Sequence, residues 1–316
     1  MTKKVQFFID DIIWVLRDLT REKPASLFDN SYMAILKRAH DEYGVKVQLN
    51  AFYRTSFWYG DDEFSLSDMT DAYKKEWEDA SDWLKIGFHS KEEWPDYPYI
   101  NADYDLVDSN FRLIKNEVVR FAGEKTFAYS VVPHWAPISR EGIKALYDNG
   151  IRVCYATYGE KVPYEGNGAS LPYGHEFRLL HNRKPETGIY NKVTRDLAIA
   201  RALCSYNHVP EDEYMDCMGK LKTVKDKKIG MCYTTAAQAV LNLIPLEILE
   251  EELSKFTNQE YLSIGNHEQY YYSDYYAYQP DYAEKIYTMG RIMKENGFEF
   301  IFAEDLPCLH GSDINS

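Results

Sequence analysis

Acidic or histidine side chains follow four short apolar runs of the 316-residue sequence. Asp10-Asp11 comes directly after residues 5–9, and His89-Ser90 comes after residues 86–88. The other two segments are Pro133-His134-Trp135 and Gly265-Asn266-His267-Glu268. Side chains of these types bind metal ions and transfer protons, so the positions at which the runs end are the first candidates for a reaction centre.

The adjacent carboxylates of Asp10 and Asp11 are costly to bury unless a cation or a proton-transfer role accounts for them. They therefore indicate a metal ligand, a general base, or both. The alternative is that one of them only caps a helix that begins near Ile12, which is a frequent role for aspartate.

His89 and Glu93 are four residues apart, which places both on one face if a helical turn begins there. Together with Asp11 they form a nitrogen and oxygen ligand set that suits zinc, manganese or iron. The alternative for His89 is a hydrogen-bonded loop residue with no ligand.

His267 is suited to protonating a leaving group, because imidazole has the reference pKa nearest neutrality. His134 lies between Pro133 and Pro137, and two prolines stiffen the loop around it. A metal or oxyanion contact fits such a residue, and a structural turn histidine fits it equally well.

Strand-like runs recur along the chain, and most are followed by a segment with helical spacing. Strands are expected at residues 5–9, 46–52, 86–88, 127–132, 152–155, 261–264 and 298–302, and helices at 32–43, 105–121, 140–149, 246–256 and 281–296. Gly44, Gly150 and Gly297 each precede a strand, where a helix end needs a left-handed residue. This order predicts parallel βα units, and the strand ends of a closed parallel barrel share one face.

Residues 156–230 break this alternation. They are rich in Gly, Pro, Asn and charge, and they carry His175, His181 and His208. We expect an insertion or elaboration within a single barrel domain that spans 1–316, or one or two further strands, for example at 229–233.

Composition excludes several classes of protein. A net charge of −14 and a pI near 5.1 argue against nucleic-acid binding, which needs a clustered cationic face. The five cysteines are odd in number and contain no CxxC pair, so neither a disulfide framework nor a thiolate zinc site is expected. Neither a signal-peptide core nor a membrane span is visible, and a cytoplasmic location is the default expectation.

Aromatic residues are abundant, with 27 Tyr and 6 Trp, and many stand beside Asp, Glu or Asn. Rings with polar tips suit the faces of sugars, although the same residues are also ordinary rim and core residues. Trp94, Trp135 and Tyr270, which stand close to the candidate segments, are the expected substrate-binding residues.

At these positions the sequence resembles the polysaccharide deacetylase family. Phe8-Ile9-Asp10-Asp11 is similar to the aspartate pair that opens the family's sequences, and His89-Ser90 is similar to the start of its His-Ser/Thr-x-x-His metal motif. Val132-Pro133-His134-Trp135 is similar to the family's Arg-x-Pro-aromatic loop. Ile264-Gly265-Asn266-His267 is similar to its final hydrophobic-x-His motif. The resemblance implies a metal-dependent deacetylase on a deformed (β/α)7 TIM-like barrel. It also implies that Asp10 is the base, Asp11 and His89 bind metal, and His267 is the acid.

Two positions depart from the family pattern. Glu93 stands where the family has its second metal histidine, and Val131 stands near the position of the arginine that orients the catalytic aspartate. The departures imply an altered metal site or chemistry, or a loss of activity.

Three functions therefore compete. The first is hydrolysis of an acyl group on a carbohydrate-like substrate with one divalent ion, for which zinc is the first expectation and Asp11, His89, Glu93 and His134 are the candidate ligands. The second is a catalytically silent barrel that binds sugars. The third is another carbohydrate-active hydrolase, in which Asp10 and Glu268 flank a glycosidic bond at a separation of about 5 to 10 Å.

Overall fold

The structure of the chain is a computed structural model, which describes residues 2–55, 63–93, 98–99, 102–136, 138–156, 213, 216–235, 237–307 and 310–312. The strands are β1 (Lys3–Ile12), β2 (Val47–Phe52), β3 (Leu84–Ser90), β4 (Ser130–Val131), β5 (Val153–Ala156), β6 (Val224–Asp226), β7 (Cys232–Thr235), β8 (Ala239–Val240), β9 (Tyr261–His267), β10 (Phe298–Phe300) and β11 (His310–Ser312). The α-helices are α1 (Trp14–Glu22), α2 (Ser31–Tyr43), α3 (Lys74–Asp79), α4 (Tyr104–Ala122), α5 (Arg140–Asp148), α6 (Leu246–Ser254) and α7 (Tyr282–Glu295). Single 3-10 turns lie at Leu27–Asp29, Leu66–Asp68, Glu124–Thr126, Leu241–Leu243, Glu268–Tyr271 and Ala303–Asp305.

Parallel strands form the centre of the fold. One sheet runs β3-β2-β1-β9-β8, with β10 beside the first residues of β1, and the other runs β11-β6-β7-β5-β4. A parallel bridge between Ile86 and Phe127 joins β3 to the segment that leads into β4, so the two sheets are continuous. Within the described residues only β6 and β7 pair antiparallel. The predicted fold class, an α/β protein with a deformed TIM-like barrel, is confirmed.

Alternate residues of β1 face opposite layers, as the two-residue repeat of a strand requires. Phe7 and Ile9 belong to the large core between the strands and the helices, whereas Phe8 packs in a smaller cluster with Tyr155 and Tyr261. Strand β1 is therefore buried on both faces, which is the usual condition of a strand in a parallel barrel. It is also the strand that ends in Asp10 and Asp11.

The predicted elements agree closely with those observed. Each predicted strand coincides with an observed one, although β4 is only two residues long, and each of the five predicted helices is present. Gly44, Gly150 and Gly297 have φ values of +74°, +101° and +76°, which confirms the left-handed positions. The sequence did not reveal α3, and it indicated α1 only as a helix near Ile12 that Asp10 or Asp11 could cap. Helix α1 begins at Trp14, and its N-cap residue is Ile13.

The middle region is described only in part. Residues 157–212, which carry His175, His181 and His208, lie outside the described residues. At its end β6 falls within the range expected to be an insertion, and β7 realises the further strand anticipated at 229–233, shifted to Cys232–Thr235. Strand β7 pairs in parallel with β5, so the chain rejoins the sheet directly after the predicted insertion.

The sequence predicted no disulfide framework, and one cysteine departs from the reduced state that this implies. Cys232 on β7 is disulfide-bonded. Cys154 and Cys217 are free and buried. Sequence spacing failed here because folding brings distant cysteines together whether or not they form a recognisable motif.

No helix in the described part of the chain combines the length and the apolar character that crossing a bilayer requires.

Candidate functional site

The backbone at the end of β1 brings two neighbouring carboxylates to one place. Adjacent residues of a regular strand point to opposite faces. Asp11, however, has a φ of +64°, and the pairing of β1 with β2 shifts register between Ile9 and Ile12. This bulge lets both Asp10 and Asp11 reach His89, and a left-handed non-glycine residue is a form of strain that is common at functional sites.

Three buried side chains converge at this point: Asp11, His89 and His134, at 4%, 2% and 4% exposure. The Oδ1 atom of Asp11 lies 3.2 Å from Nε2 of His89 and 3.5 Å from Nδ1 of His134. The two ring nitrogens lie 3.0 Å apart. Since β1, β3 and the loop after β4 supply one residue each, the barrel brings together groups far apart in sequence.

The second nitrogen of each ring is already used. Nδ1 of His89 donates to the carbonyl of Val132 at 2.7 Å, and Nε2 of His134 donates to the carbonyl of Glu93 at 3.1 Å. A carbonyl can only accept, so these nitrogens carry the protons. In the neutral rings, the nitrogens that face Asp11 therefore present lone pairs, which is the arrangement found in metal-binding histidines.

Two lone pairs and a carboxylate oxygen at such short range repel one another unless a positive charge lies among them. A proton on His89 or a cation at the centre would supply it. With ligand bonds of about 2.1 Å, separations of this size correspond to angles of about 90 to 115° at an ion, which suits tetrahedral zinc and related geometries. The donor set, its burial and its spacing therefore fit a divalent cation.

The pKa values of the two histidines are shifted in opposite directions. Burial and the neighbouring His89 lower the pKa of His134 to about 3, which keeps that ring neutral. Burial also acts to lower the pKa of His89, but the carboxylates of Asp10 and Asp11 outweigh it and raise the pKa above its ordinary value. Burial opposes ionisation of Asp11 as well, yet the adjacent histidines hold the pKa of its carboxyl below its usual range. A proton in this cluster therefore belongs to His89.

No protein-family model matches the chain, and no curated protein does. Among solved structures, a 4-α-glucanotransferase from Thermococcus litoralis has a TM-score of 0.53 at 10% identity, over 96% of this chain and 40% of that one. A CE4 family pseudoenzyme from Bacillus anthracis has a TM-score of 0.42 at 13% identity, over 98% and 70% of the chains. A polysaccharide deacetylase from Bacillus cereus has a TM-score of 0.38 at 12% identity, over 97% and 96%.

The first of these similarities shows a shared barrel fold. The chain spans about 40% of the length of that glucanotransferase, so the similarity says nothing of a common activity. The chemistry of this chain has to be inferred from its own residues.

An amide holds Asp10. Nδ2 of Asn50, on β2, donates to Oδ1 of Asp10 at 2.7 Å, and Nδ1 of His89 lies 3.8 Å from the same oxygen. Val131, near the position where the resemblance implies an arginine, is fully buried in the core beneath the helices. Asn50 is thus a neutral donor to the candidate base, and it lies on a different strand from Val131.

An amide also holds His267. Strand pairing sets His267 beside Asp10 in the register of β1 and β9. Nδ1 of His267 lies 2.9 Å from Oδ1 of Asn242, an atom that can only accept, so Nδ1 carries a proton. The main-chain carbonyl of Asn242 accepts from Gln279 at 2.7 Å, and Gln279 in turn accepts from the buried Lys285 at 2.8 Å.

Glu268 has a structural role. It is fully buried, and its two oxygens accept from the backbone N–H groups of Ile13, Trp14 and Val15 at 2.6 to 3.0 Å. Those N–H groups open helix α1 and would otherwise lack partners. The interpretation of Asp10 and Glu268 as a glycosidase pair therefore fails, because Glu268 is committed to the helix end. The next residue, Gln269, donates to Oδ2 of Asp11 at 2.7 Å.

The remaining predicted site residues lie around this centre. The carboxylate of Glu93 lies 3.8 Å from Nε2 of His134, whereas that ring faces Asp11 with its other nitrogen. The ring of Trp135 is 5.5 Å from that of His134, and the ring of Tyr270 is 6.2 Å from that of His267. Trp94 lies outside the described residues.

Sequence reasoning missed the amides that hold the reactive groups. Asn50 and Gln48 alternate with apolar residues along β2, and a polar residue at every second position of a buried strand marks the face toward the barrel interior. That alternation was a usable signal. Asn242 lies in a short apolar 3-10 turn and offered none.

Proposed function

We propose that this chain is a metal-dependent hydrolase that removes an acyl group, such as acetyl, from a carbohydrate-like substrate. The observation that carries the proposal is the convergence of two histidine lone pairs and one carboxylate oxygen within 3.5 Å of one another. The order of the resembling segments along the sequence supports the deacetylase class in particular.

Asp11, His89 and His134 would hold the ion, with zinc as the first choice for a site of two nitrogens and one oxygen. When bound there, a divalent cation would act as a Lewis acid, which polarises an acyl carbonyl and lowers the pKa of a water molecule. Glu93 stays a candidate for a further ligand or for holding His134 from its far side.

Asp10 is the general base in this proposal. It is 7% exposed, and Asn50 fixes one of its oxygens. As a carboxylate it would accept the proton of the attacking water. His267, on the neighbouring strand, would donate a proton to the departing amine or alkoxide through Nε2, because Asn242 occupies Nδ1.

Aromatic side chains beside these groups support a sugar as substrate. Trp135 adjoins His134, and Tyr270 adjoins His267 and Tyr275. Rings with polar tips give a flat apolar surface together with hydrogen-bonding groups, which pyranose rings use. The proposal takes Trp94, Trp135 and Tyr270 as the substrate-binding residues.

The test combines metal analysis with turnover. Protein purified without added ions is analysed for metal, reloaded with zinc, and assayed on acetylated chitooligosaccharides and acetylated xylo-oligosaccharides for release of acetate. We expect about one ion per chain, acetate release that a chelator abolishes, and an Asp10→Asn variant that binds metal but does not turn over. Sugar binding that survives chelation, without acetate release, would instead establish the silent binding barrel.

A further inference from the structure

A series of hydrogen bonds between buried side chains leads from the barrel interior to Asp10. Oγ of Ser130 donates to Oε1 of Gln48 at 2.7 Å, and Nε2 of Gln48 donates to Oδ1 of Asn50 at 2.8 Å. Nδ2 of Asn50 then donates to Asp10. Ser130, Gln48 and Asn50 are fully buried, so water does not compete for these hydrogen bonds.

The donors and acceptors in this series of hydrogen bonds follow one another in a fixed order. Nε2 of Gln48 also donates to the main-chain carbonyl of Ser130 at 3.1 Å, which fixes the Gln48 amide by two contacts. Since Gln48 offers a donor to Asn50, the oxygen of Asn50 must face Gln48 and its nitrogen must face Asp10. If the Asn50 amide were flipped, its nitrogen would face the donor nitrogen of Gln48, and its oxygen would face the carboxylate oxygen of Asp10.

The third strand leaves room for this arrangement. A Cβ atom added to Gly87, on β3, would lie 2.8 Å from Nε2 of Gln48 and 3.0 Å from Oδ1 of Asn50. Both distances are too short for ordinary packing. A glycine at this position therefore lets the two amides pass side by side between β2 and β4.

We propose that Asn50, oriented by Gln48 and Ser130, is the positioning residue of Asp10. The inference rests on the proposed function, because it assigns Asp10 a reactive role. Asn50 donates to one carboxylate oxygen of Asp10. It has no described contact with Asp11, His89 or His134.

The first test compares turnover in Asn50→Leu and Gln48→Leu with that in Asn266→Leu. Asn266 is a matched control, since it is 1% exposed, and neither of its side-chain polar atoms has a hydrogen-bond partner in the described structure. We expect Asn50→Leu to lower kcat by about 10- to 100-fold with KM unchanged, the range found when a supporting contact of a reactive group is removed. Gln48→Leu is expected to lower kcat less, and the control to stay near wild type.

Cobalt binding separates positioning from collapse of the site. The visible absorption of the cobalt-loaded protein reports the ion and its ligands, and we expect the same spectrum and affinity in Asn50→Leu as in wild type. A kcat in Asn50→Leu within twofold of the Asn266→Leu value overturns the inference and leaves the proposed function intact. A metal-loaded wild type that releases no acetate overturns both.

A second measurement needs no turnover. In ¹⁵N-labelled protein the side-chain amide signal of Asn50 is identified by its disappearance in Asn50→Leu. We expect Asp10→Ala to shift that signal and to leave the Asn266 amide unchanged. An Asn50 signal that does not respond to Asp10→Ala shows that the contact is absent in solution, which overturns the inference whatever the enzyme does.

Discussion

Nε2 of His89 and Nδ1 of His134 lie 3.0 Å apart, although each ring already donates through its other nitrogen to a main-chain carbonyl. One ring must therefore take up an additional proton, or an ion must lie between them. This relationship makes the candidate metal centre testable without knowledge of the substrate.

Replacing His134 by alanine removes one of the three converging ligands. We expect zinc affinity to fall by about 100-fold or more, since loss of a supporting contact alone costs about 10- to 100-fold. His40→Ala is the matched control, because His40 lies on α2, stacks on Trp83 and has its Nδ1 bonded to the carbonyl of Val45. Competition with a chromophoric chelator measures both variants, and equal affinities in the two would contradict the ligand assignment.

Metal binding should release one proton at pH values below the pKa of His89. The pKa of His89 is raised and that of His134 is lowered to about 3, so only His89 carries a proton that a cation must displace. Affinity is therefore expected to fall about tenfold for each pH unit below the pKa of His89 and to level off above it. Calorimetry in two buffers of different ionisation enthalpy counts the protons, and release of two would show that His134 is also protonated.

The sequence predicted the scaffold, and the convergence of Asp11, His89 and His134, better than the side chains that hold the reactive groups in place. Runs of β-branched and aromatic residues predict strands such as β1 and β9. The rule that parallel strands of a barrel end at one face then predicts that Asp11, His89 and His134 lie close together. The positive φ of Asp11 and the partners Asn50 and Asn242 depend on register and on how neighbouring strands approach. Those relations arise only once the barrel closes, so a linear pattern contains little information about them.

Glu268 should contribute to the stability of the fold by capping α1. Glu268→Ala leaves three backbone N–H groups of α1 without their acceptor, and we expect the free energy of unfolding to fall by about 3 to 5 kcal/mol. Glu247, an exposed acidic residue in the first turn of α6, is the control, and Glu247→Ala is expected to change stability by less than about 0.5 kcal/mol. Urea denaturation measures both variants. A Glu268→Ala variant as stable as Glu247→Ala would contradict the capping role.

Asp11 combines a ligand with a strained backbone, and two substitutions separate these properties. Asparagine tolerates a φ of +64°, so Asp11→Asn should lose zinc affinity while the protein stays nearly as stable as wild type. Asp11→Val loses the same charge and also places a β-branched residue in the left-handed region, which should cost about 1 to 2 kcal/mol more. Urea denaturation of the two ion-free variants gives the difference. Equal stabilities would mean that the backbone relaxes at this position.

Strand β1 is paired on both edges, with β9 on one side and with β2 and β10 on the other. Because both edges of β1 are hydrogen-bonded, its amide hydrogens should be among the slowest in the described part of the chain to exchange with solvent. The surroundings of Asp10 and Asp11 also include loops that follow other strands, and loops tolerate sequence changes without altering the strands they connect. Substitutions in those loops could therefore change the surroundings of Asp10 and Asp11 while the two carboxylates stay in place.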